Sequence, residues 1–185
     1  MKEELIQTML TLASEKGLQE VSMNELALAV GISKATVFHH FKNKEALIEE
    51  LFFYAHRLAL KQMRTIELQG SAEELLLRAL DHWSELYETE PLYSFYRIIE
   101  QEALRDERAR AIKQTLDEML IGQSSILIEH LDQRGALVID DLELAVETFS
   151  AVIAQHLVRT LLTDEDIHYQ AERFIRRFCA HYAAT

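Results

Sequence analysis

Apolar side chains recur along most of this chain with the i, i+3, i+4 spacing of one face of an α-helix. The first such segment starts at Leu5, continues through Met9 and Ala13, and ends at Gly17. No stretch of note alternates between apolar and polar residues as a half-buried β-strand does. The 5 glycines and 1 proline leave few interruptions, so the sequence predicts long helices and an all-α fold.

Capping residues and helix breakers divide the rest of the chain into further helices. Asn43 caps a helix that begins at Lys44 and is long enough to join an N-terminal head to a larger body without a flexible linker. Gly70–Ser71, Pro91 and Gly135 mark later breaks. The predicted ranges are 44 to about 68, 71 to about 88, 92–104, 106 to about 133, 140–161, and a last helix that starts at 164–166 and passes through Tyr182.

The segment Ser22–Phe41, SMNELALAVGISKATVFHHF, predicts two short helices joined by a glycine turn. Ser22 opens the first in an S-x-x-E arrangement with Glu25, in which the hydroxyl caps a free amide and the carboxylate reaches back. Gly31 stands where a left-handed residue would end that helix, and Ser33 caps the next one. This pattern is typical of a helix-turn-helix.

The second helix of the pair has an apolar face and an outward face. Val37 and Phe41 are spaced i, i+4, so we expect them to pack inward. The side chains left to meet a partner are Lys34, Ala35, Thr36, Phe38 and His39. A recognition helix of this kind places its first turns in the major groove of DNA.

Residues from Leu5 to about Leu51 resemble the DNA-binding domain of TetR-type bacterial transcriptional repressors. Each motif alone is weak, but their joint occurrence at fixed spacing is specific. The motifs are Glu15-Lys16-Gly17, Ser22-x-x-Glu25-Leu26-Ala27, Val30-Gly31-Ile32-Ser33, Thr36-Val37-Phe38 and His40-Phe41-Lys42-Asn43-Lys44-Glu45-Ala46-Leu47. The rest of the chain resembles the family in length and helical pattern alone.

The resemblance implies a DNA-binding head over residues 1–47 and an effector-binding and dimerisation body over residues 48–185. Within the head we expect Lys34, Thr36 and His39 to contact base edges or their surroundings, although the flexible Lys34 serves a phosphate equally well. Phosphate positioning falls to Ser22, His40 and Lys44, the last of which begins a helix beside free backbone amides. The complete set of candidate DNA-binding residues is Ser22, Ser33, Lys34, Ala35, Thr36, Phe38, His39, His40 and Lys44.

Phe38 departs from the family pattern. The family commonly carries a tyrosine there, whose hydroxyl reaches a phosphate, and phenylalanine has no such donor. The resemblance therefore predicts one backbone contact fewer, with His39 or His40 as its replacement.

The overall charge opposes DNA binding, because the chain carries −12 at pH 7 and duplex affinity depends on neutralised phosphates. The distribution is more favourable: no acidic residue lies between Glu25 and Glu45, where Lys34, Lys42 and Lys44 fall. Residues 1–50 still hold five lysines against eight glutamates and no arginine. We therefore expect modest non-specific affinity that is strongly salt-sensitive, and an acidic body that faces away from the duplex.

Metal-binding and catalytic motifs are absent from the sequence. The 8 histidines form no HExxH pair, the 1 cysteine allows no CxxC, and the scattered glycines form no phosphate loop or nucleophile elbow. We expect no enzyme activity, no metal and no cofactor. A lone Cys179, no apolar run near the roughly 20 residues of a membrane span, and no signal sequence predict a cytoplasmic protein without membrane contact.

The helix from Leu142 to Leu162 and the last helix are apolar on more than one side. One face is expected to serve the subunit core and another a partner, which gives a two-fold four-helix bundle in a homodimer, as the family resemblance also implies. A fully buried helix of a monomer is the alternative. The candidate interface residues are Phe149, Val152, Ile153, Leu157, Leu161, Phe174 and Phe178.

Aromatic side chains crowd two adjacent predicted helices of the body. Small-molecule sites are apolar cavities with a few polar groups, but aromatics at helical spacing are equally the core of a bundle. An unknown small-molecule effector is implied by the resemblance, and the acidic composition favours a cationic or neutral compound. The candidate pocket residues are His82, Trp83, Tyr87, Tyr93, Tyr96, Phe149 and His156.

These observations predict a homodimeric transcriptional regulator that binds a double-stranded DNA operator with inverted repeats. Repression that ends when an effector binds is the expected mode of action. One alternative is an architectural or protein-interaction module of the same fold without a small ligand. The other is an acidic helical binding protein whose head has no DNA affinity, which Phe38 and the missing arginines favour.

Overall fold

The computed structural model describes residues 1–62, 66–163 and 167–183, and every regular element within them is an α-helix. The all-α prediction is therefore confirmed. The helices are α1 Lys2–Lys16, α2 Met23–Val30, α3 Lys34–His40, α4 Lys44–Gln62, α5 Ala72–Glu88, α6 Leu92–Glu102, α7 Glu107–Gln133, α8 Leu142–Thr160 and α9 His168–His181.

Side-chain caps begin several helices where the sequence predicts them. Ser71 and Glu74 form a reciprocal capping box: the Glu74 amide donates to Ser71 Oγ at 3.2 Å, and the Ser71 amide donates to Glu74 Oε2 at 2.8 Å. At the start of α8, Asp141 Oδ1 accepts from the amide of Leu144 at 3.0 Å. The predicted starts of α5 and α8 are confirmed.

The predicted end of α4 near Leu68 is wrong, because residues 66–69 are not helical. Arg78 Nη2 donates to the carbonyl oxygen of Glu67 at 2.9 Å and also to that of Gln69. These carbonyls therefore bond to a side chain and not to the amides of a continued helix.

The predicted end of α6 at Leu104 is also slightly wrong. The amides of Arg105 and Asp106 both donate to Glu102 O at 2.8 Å, so the chain turns once the helix has ended at Glu102. The predicted start of the last helix at residues 164–166 lies outside the described residues, and α9 begins at His168.

The chain forms two compact units, each made from two separate stretches of sequence. The first unit comprises Met1–Met63 and Thr89–Ala111, and the second comprises Arg64–Glu88 and Ile112–Thr185. The first unit therefore contains α1 to α4, α6 and the first turn of α7. The predicted boundary at residue 47 lies between a DNA-binding part and an effector-binding part, and it does not coincide with the boundaries of the compact units. That functional division stays a prediction.

In the first unit, α1 packs against α2, α4 and α6. The side chains that meet in this core are fully or almost fully buried, and they include Leu5, Met9, Leu26, Val37, Phe41, Leu47, Phe95 and Ile99. The helix-turn-helix thus rests on a core that includes α6, a helix from much later in the sequence.

In the second unit, α5, α8 and α9 pack against one another. Their buried side chains include Trp83, Phe149, Ile153, Ile175 and Phe178. Full burial of one such side chain stabilises the fold by roughly 1.5–3 kcal/mol. The ion pair between Arg176 and Glu73 at 3.1 Å lies on the surface, where such pairs contribute little.

Candidate nucleic-acid interface

The start of α2 is held by a capping box. The amide of Glu25 donates to Ser22 Oγ at 3.1 Å, and the backbone of Ser22 interacts with the Glu25 carboxylate. The same carboxylate forms an ion pair with Lys16 at the end of α1, and the hydrogen bond from Lys16 holds the pKa of Glu25 below its ordinary value. The capping box predicted for Ser22 is confirmed, and an interhelical ion pair accompanies it.

Gly31 and Ser33 set the turn between α2 and α3. Gly31 has φ 74° and ψ 29°, a left-handed conformation that glycine adopts without steric cost. The amide of Thr36 donates to Ser33 Oγ at 3.1 Å, and the two hydroxyl oxygens of Ser33 and Thr36 lie 2.8 Å apart. Part of the hydrogen-bonding capacity of Thr36 is therefore already used within α3.

Helix α3 divides into a buried and an exposed face. Val37 is fully buried and Phe41 is 2% exposed, which confirms that both pack inward. Lys34, Ala35 and His39 are exposed, and Phe38 is 43% exposed. The inward face and four of the five outward residues match those that the helical spacing predicts, while the fifth, Thr36, is half-buried.

Two pairs of side chains order the outward surface of α3. The ammonium of Lys34 lies 5.8 Å from the ring centroid of Phe38, within the range of a cation–π contact. The rings of His39 and His40 meet edge to face with their centroids 5.5 Å apart. This surface thus carries a cation beside an apolar ring and, as a separate pair, two imidazoles in contact with each other, of which that of His40 is half-buried.

Lys44 is half-buried at the start of α4 and already has a backbone partner. Its Nζ donates to the carbonyl oxygen of Gln19 at 2.6 Å, and burial lowers the pKa of its ammonium. An ammonium carries three N–H donors, so this bond leaves donors for a phosphate. Asn43 Oδ1 accepts from the amide of Ala46 at 2.9 Å, which confirms the predicted cap.

Sequence reasoning missed Glu102, a buried carboxylate on α6 that is 7% exposed. Its Oε1 accepts from the amide of Leu18 at 3.1 Å, in the loop that leads from α1 to the helix-turn-helix. The neighbouring Gln101 supports the same region, because its Nε2 donates to Ser14 O at 3.3 Å. The sequence does contain one indication of this role. Glu102 lies seven positions, or about two helical turns, after the buried Phe95, so it is an acidic residue on an otherwise apolar helix face.

The candidate effector residues fall into both compact units. His82, Trp83, Tyr87, Phe149 and His156 lie in the second unit, and Tyr93 and Tyr96 lie in the first. Within the second unit, the rings of Trp83 and Phe149 are 6.5 Å apart, and the ring of His156 is 5.8 Å from that of His168.

Several of these candidates have structural roles of their own. Trp83 Nε1 donates to Gln123 Oε1 at 2.6 Å. Tyr96 is buried, and burial raises the pKa of its hydroxyl to about 12. Tyr93 Oη accepts from Arg97 at 2.8 Å. Their assignment to a pocket stays a prediction.

Two buried serines of the second unit were not predicted. Ser84 on α5 is 4% exposed and Ser124 on α7 is fully buried. Within the described residues, neither hydroxyl oxygen has a hydrogen-bond partner. Each serine follows a member of the Trp83–Gln123 pair in sequence. Because buried hydroxyls are normally bonded, they are candidates for a polar ligand group.

Five of the seven candidate interface residues lie inside their own chain. Phe149, Ile153, Leu157, Leu161 and Phe178 are between 0% and 6% exposed, since they form the core of the second unit. They therefore cannot present an exposed apolar face. Val152 and Phe174 are half-buried. Other large apolar side chains at the surface near these helices are Leu144, Leu162 and Tyr169.

In the described part of the chain, no three histidine, cysteine, aspartate or glutamate side chains converge in a way that would hold a metal ion. None of the helices in residues 1–62, 66–163 and 167–183 has the length and hydropathy for a bilayer crossing.

Two family models match the chain, one over each part of the sequence. Residues 5–51 match bacterial regulatory proteins of the tetR family. Residues 74–184 match the C-terminal domain of AefR-like transcriptional repressors. The second match covers more than half of the chain and includes helices of both compact units.

Individual relatives agree with the family models. YerO, an uncharacterized HTH-type transcriptional regulator of Bacillus subtilis, is 36% identical over 66 residues, which are 36% of this chain and 23% of the relative. IcaR of Staphylococcus aureus, a negative transcriptional regulator of a biofilm operon, is 36% identical over 50 residues, 27% of each chain. The chain thus aligns with about a quarter of the length of these curated relatives.

Solved structures extend the similarity to the whole fold. MexZ, a repressor from Pseudomonas aeruginosa, superposes with a TM-score of 0.74 at 20% identity, over 99% of this chain and 94% of MexZ. A protein from Saccharomonospora viridis, solved in complex with choline, gives a TM-score of 0.76 at 17% identity, over 100% of this chain and 97% of that one. At this level of identity the similarity concerns the fold.

Proposed function

The chain belongs to the TetR family of bacterial regulatory proteins, and from this membership we propose that it is a DNA-binding transcriptional repressor. The observation that carries the proposal is the outward face of α3. Lys34, Ala35, Phe38 and His39 are exposed on a helix that Val37 and Phe41 anchor to the core. A short helix anchored in this way is the part of a helix-turn-helix that enters the major groove.

The residues of the head divide into base-facing and phosphate-facing groups. Lys34, Thr36 and His39 act at or near base edges, while Ser22, His40 and Lys44 position the phosphate backbone. Ser33, Ala35 and Phe38 complete the contact surface. Since Lys44 is fixed by its bond to Gln19 O, it offers a well-defined charge beside the first turn of α4.

We further propose that two copies bind together to an inverted-repeat operator. A two-fold dimer presents two copies of α3, so its half-sites are related by the same two-fold axis. The proposed interface uses the outer faces of α8 and α9, where Val152 and Phe174 are half-buried and Leu144 and Tyr169 are 55% and 64% exposed. The candidate residues buried in the chain's own core support this surface from beneath.

The proposed control is release of DNA when a neutral or cationic small molecule binds the second unit. The hydroxyls of Ser84 and Ser124 have no hydrogen-bond partner in the described part of the chain, and the two serines follow Trp83 and its partner Gln123 in sequence; they support a ligand with both polar and apolar parts. Such a ligand lowers DNA affinity only to the extent that it prefers the conformation that binds DNA less well. The choline complex of the S. viridis protein is a reason to screen quaternary ammonium compounds among others.

A gel-shift assay with the full chain and the DNA upstream of its own gene tests the proposal. We expect a specific complex at low ionic strength that unrelated duplex of equal length does not compete away, and weaker binding as salt rises. Thermal-shift screening then tests the effector. If no duplex binds, the proposed repressor function is wrong, and an acidic binding protein is the better description. If DNA binds but no compound raises the melting temperature of the protein, the proposed control by an effector is wrong and the DNA-binding role stands.

A further inference from the structure

The exposed face of α3 is unusually apolar for a surface proposed to read DNA. Ala35 and Phe38 are spaced i, i+3 and are both exposed, so their methyl group and ring lie next to each other on one face of the helix. Phe38 is 43% exposed. The helix KATVFHH also contains no arginine, asparagine or glutamine, the residues that commonly make bidentate contacts with guanine or adenine.

The polar groups around this apolar surface are partly engaged already. The Thr36 hydroxyl lies 2.8 Å from that of Ser33, at the first turn of the helix. The Lys34 ammonium lies 5.8 Å from the Phe38 ring centroid, on the edge of the apolar surface. Helix α3 therefore has few polar groups with which to recognise bases. Contact with Ala35 and Phe38 accordingly contributes more to the discrimination between bases.

Among base edges in the major groove, the C5-methyl group of thymine is the apolar feature. A phenyl ring or an alanine methyl that faces guanine, cytosine or adenine would cover donors and acceptors without replacing their hydrogen bonds to water, which is unfavourable. Against a thymine methyl, the same groups remove apolar surface from water on both sides, which is favourable. The chemistry of this surface thus selects one base.

We propose that Phe38, together with Ala35, is a specificity-determining contact that reads thymine methyl groups in each operator half-site. This inference rests on the proposed function of the head as a DNA reader. Lys34, held beside the ring, then donates to the thymine O4, to a neighbouring acceptor or to a phosphate. Compared with the tyrosine that the family commonly carries there, Phe38 lacks the phosphate donor and keeps the ring, which is then free to contact a base.

The test starts with the operator that the protein itself selects. Full-length protein is used to enrich duplexes from a library with a random central segment, and each thymine of the enriched sequence is then replaced singly by deoxyuridine. This change removes one methyl group and leaves every hydrogen-bonding group in place. We expect about fourfold weaker binding at one or two positions in each half-site, as the loss of one buried methyl implies.

The substitution Phe38→Ala shows whether this ring is the reader. In the variant, thymine and deoxyuridine at the sensitive position should bind with nearly equal affinity, whereas wild type distinguishes them. Ile126→Ala is the control, because Ile126 is 63% exposed on α7 in the second compact unit, and its loss should leave the thymine preference unchanged. Both side chains are exposed, so neither variant is expected to disturb folding, which circular dichroism verifies.

The outcomes separate this inference from the proposed function. Failure to enrich any duplex at low salt overturns both. Enrichment of an operator that binds equally with thymine or deoxyuridine at every position overturns the methyl contact alone and leaves the repressor role intact. A deoxyuridine penalty of the same size in Phe38→Ala as in wild type shows that another group reads the methyl, and it likewise overturns the inference.

Discussion

The outward face of α3 and the aromatic core of the second unit differ in where the predicted binding residues lie: on α3 they are mostly at the surface, and in the second unit many of them are buried. On α3, the side chains proposed for binding are those left outside once Val37 and Phe41 are buried. In the second unit, residues selected as candidates for binding, such as Trp83 and Phe149, form the interior. Helical periodicity therefore locates a surface site, whereas an apolar pocket and a core share one sequence pattern.

The largest expected effect tests the second unit. Phe149 is fully buried, and its ring centroid lies 5.2 Å from that of Phe178. We expect Phe149→Ala to lower the free energy of unfolding by about 3–5 kcal/mol in urea denaturation at fixed protein concentration. Phe38→Ala removes an exposed ring and should change it by less than about 0.5 kcal/mol. If Phe149→Ala lowers the free energy of unfolding as little as Phe38→Ala does, Phe149 lines a cavity and is not part of a packed core.

A smaller effect is expected from Glu102, the buried residue that holds the approach to the helix-turn-helix. Glu102→Leu leaves the Leu18 amide without its acceptor, so we expect a loss of about 1–3 kcal/mol in unfolding free energy and faster hydrogen exchange at that amide. Glu102→Gln keeps an acceptor oxygen and should exchange at nearly the wild-type rate. Equal acceleration in both variants would contradict this role.

The outer face of α8 can be compared with an exposed position outside the proposed interface. Val152→Glu places a carboxylate in the proposed two-fold interface, so we expect dimer dissociation to become at least about tenfold easier, or roughly 1.4 kcal/mol. Sedimentation equilibrium measures this change. Leu104→Glu is the control, since Leu104 is 87% exposed in the first compact unit. A dimer equally stable in both variants would exclude this surface of α8 from the interface.

The smallest expected effect concerns Lys44. The substitution Lys44→Ala removes one phosphate contact, so binding to all duplexes should weaken about equally. The magnitude of the slope of log affinity against log salt concentration should decrease by roughly 0.9. Lys61→Ala carries the same charge change at an exposed position of α4 and should leave the slope unaltered. Fluorescence anisotropy with operator and random duplexes provides both measurements.

Base-facing residues should respond differently. Thr36→Ala and His39→Ala should change sequence preference while random duplex is bound almost as before, because they act at or near base edges. If these two variants and Lys44→Ala weaken random DNA equally, the division between base-facing and phosphate-facing residues is wrong.

Local sequence rules predicted much of the head and less of the second unit. Ser22, Gly31 and Ser33 act on neighbours within a few residues, so their roles can be deduced from spacing. Glu102 acts on Leu18 across 84 positions, and no local pattern specifies that pairing. Ser84 and Ser124 became notable only when packing had removed both hydroxyls from solvent, since exposed serines look the same in sequence.

Residues 89–111 belong to the first compact unit although they are distant from residues 1–63 in sequence. This arrangement limits which gene fusions between regulators of this architecture can give a folded protein. A gene fusion that transferred only residues 1–62 to another regulator would leave behind α6, together with the buried Phe95 and Ile99 and the carboxylate that binds Leu18. The recipient would have to supply a matching helix. New combinations of operator and inducer are therefore expected to survive when α6 is inherited with the DNA-binding part.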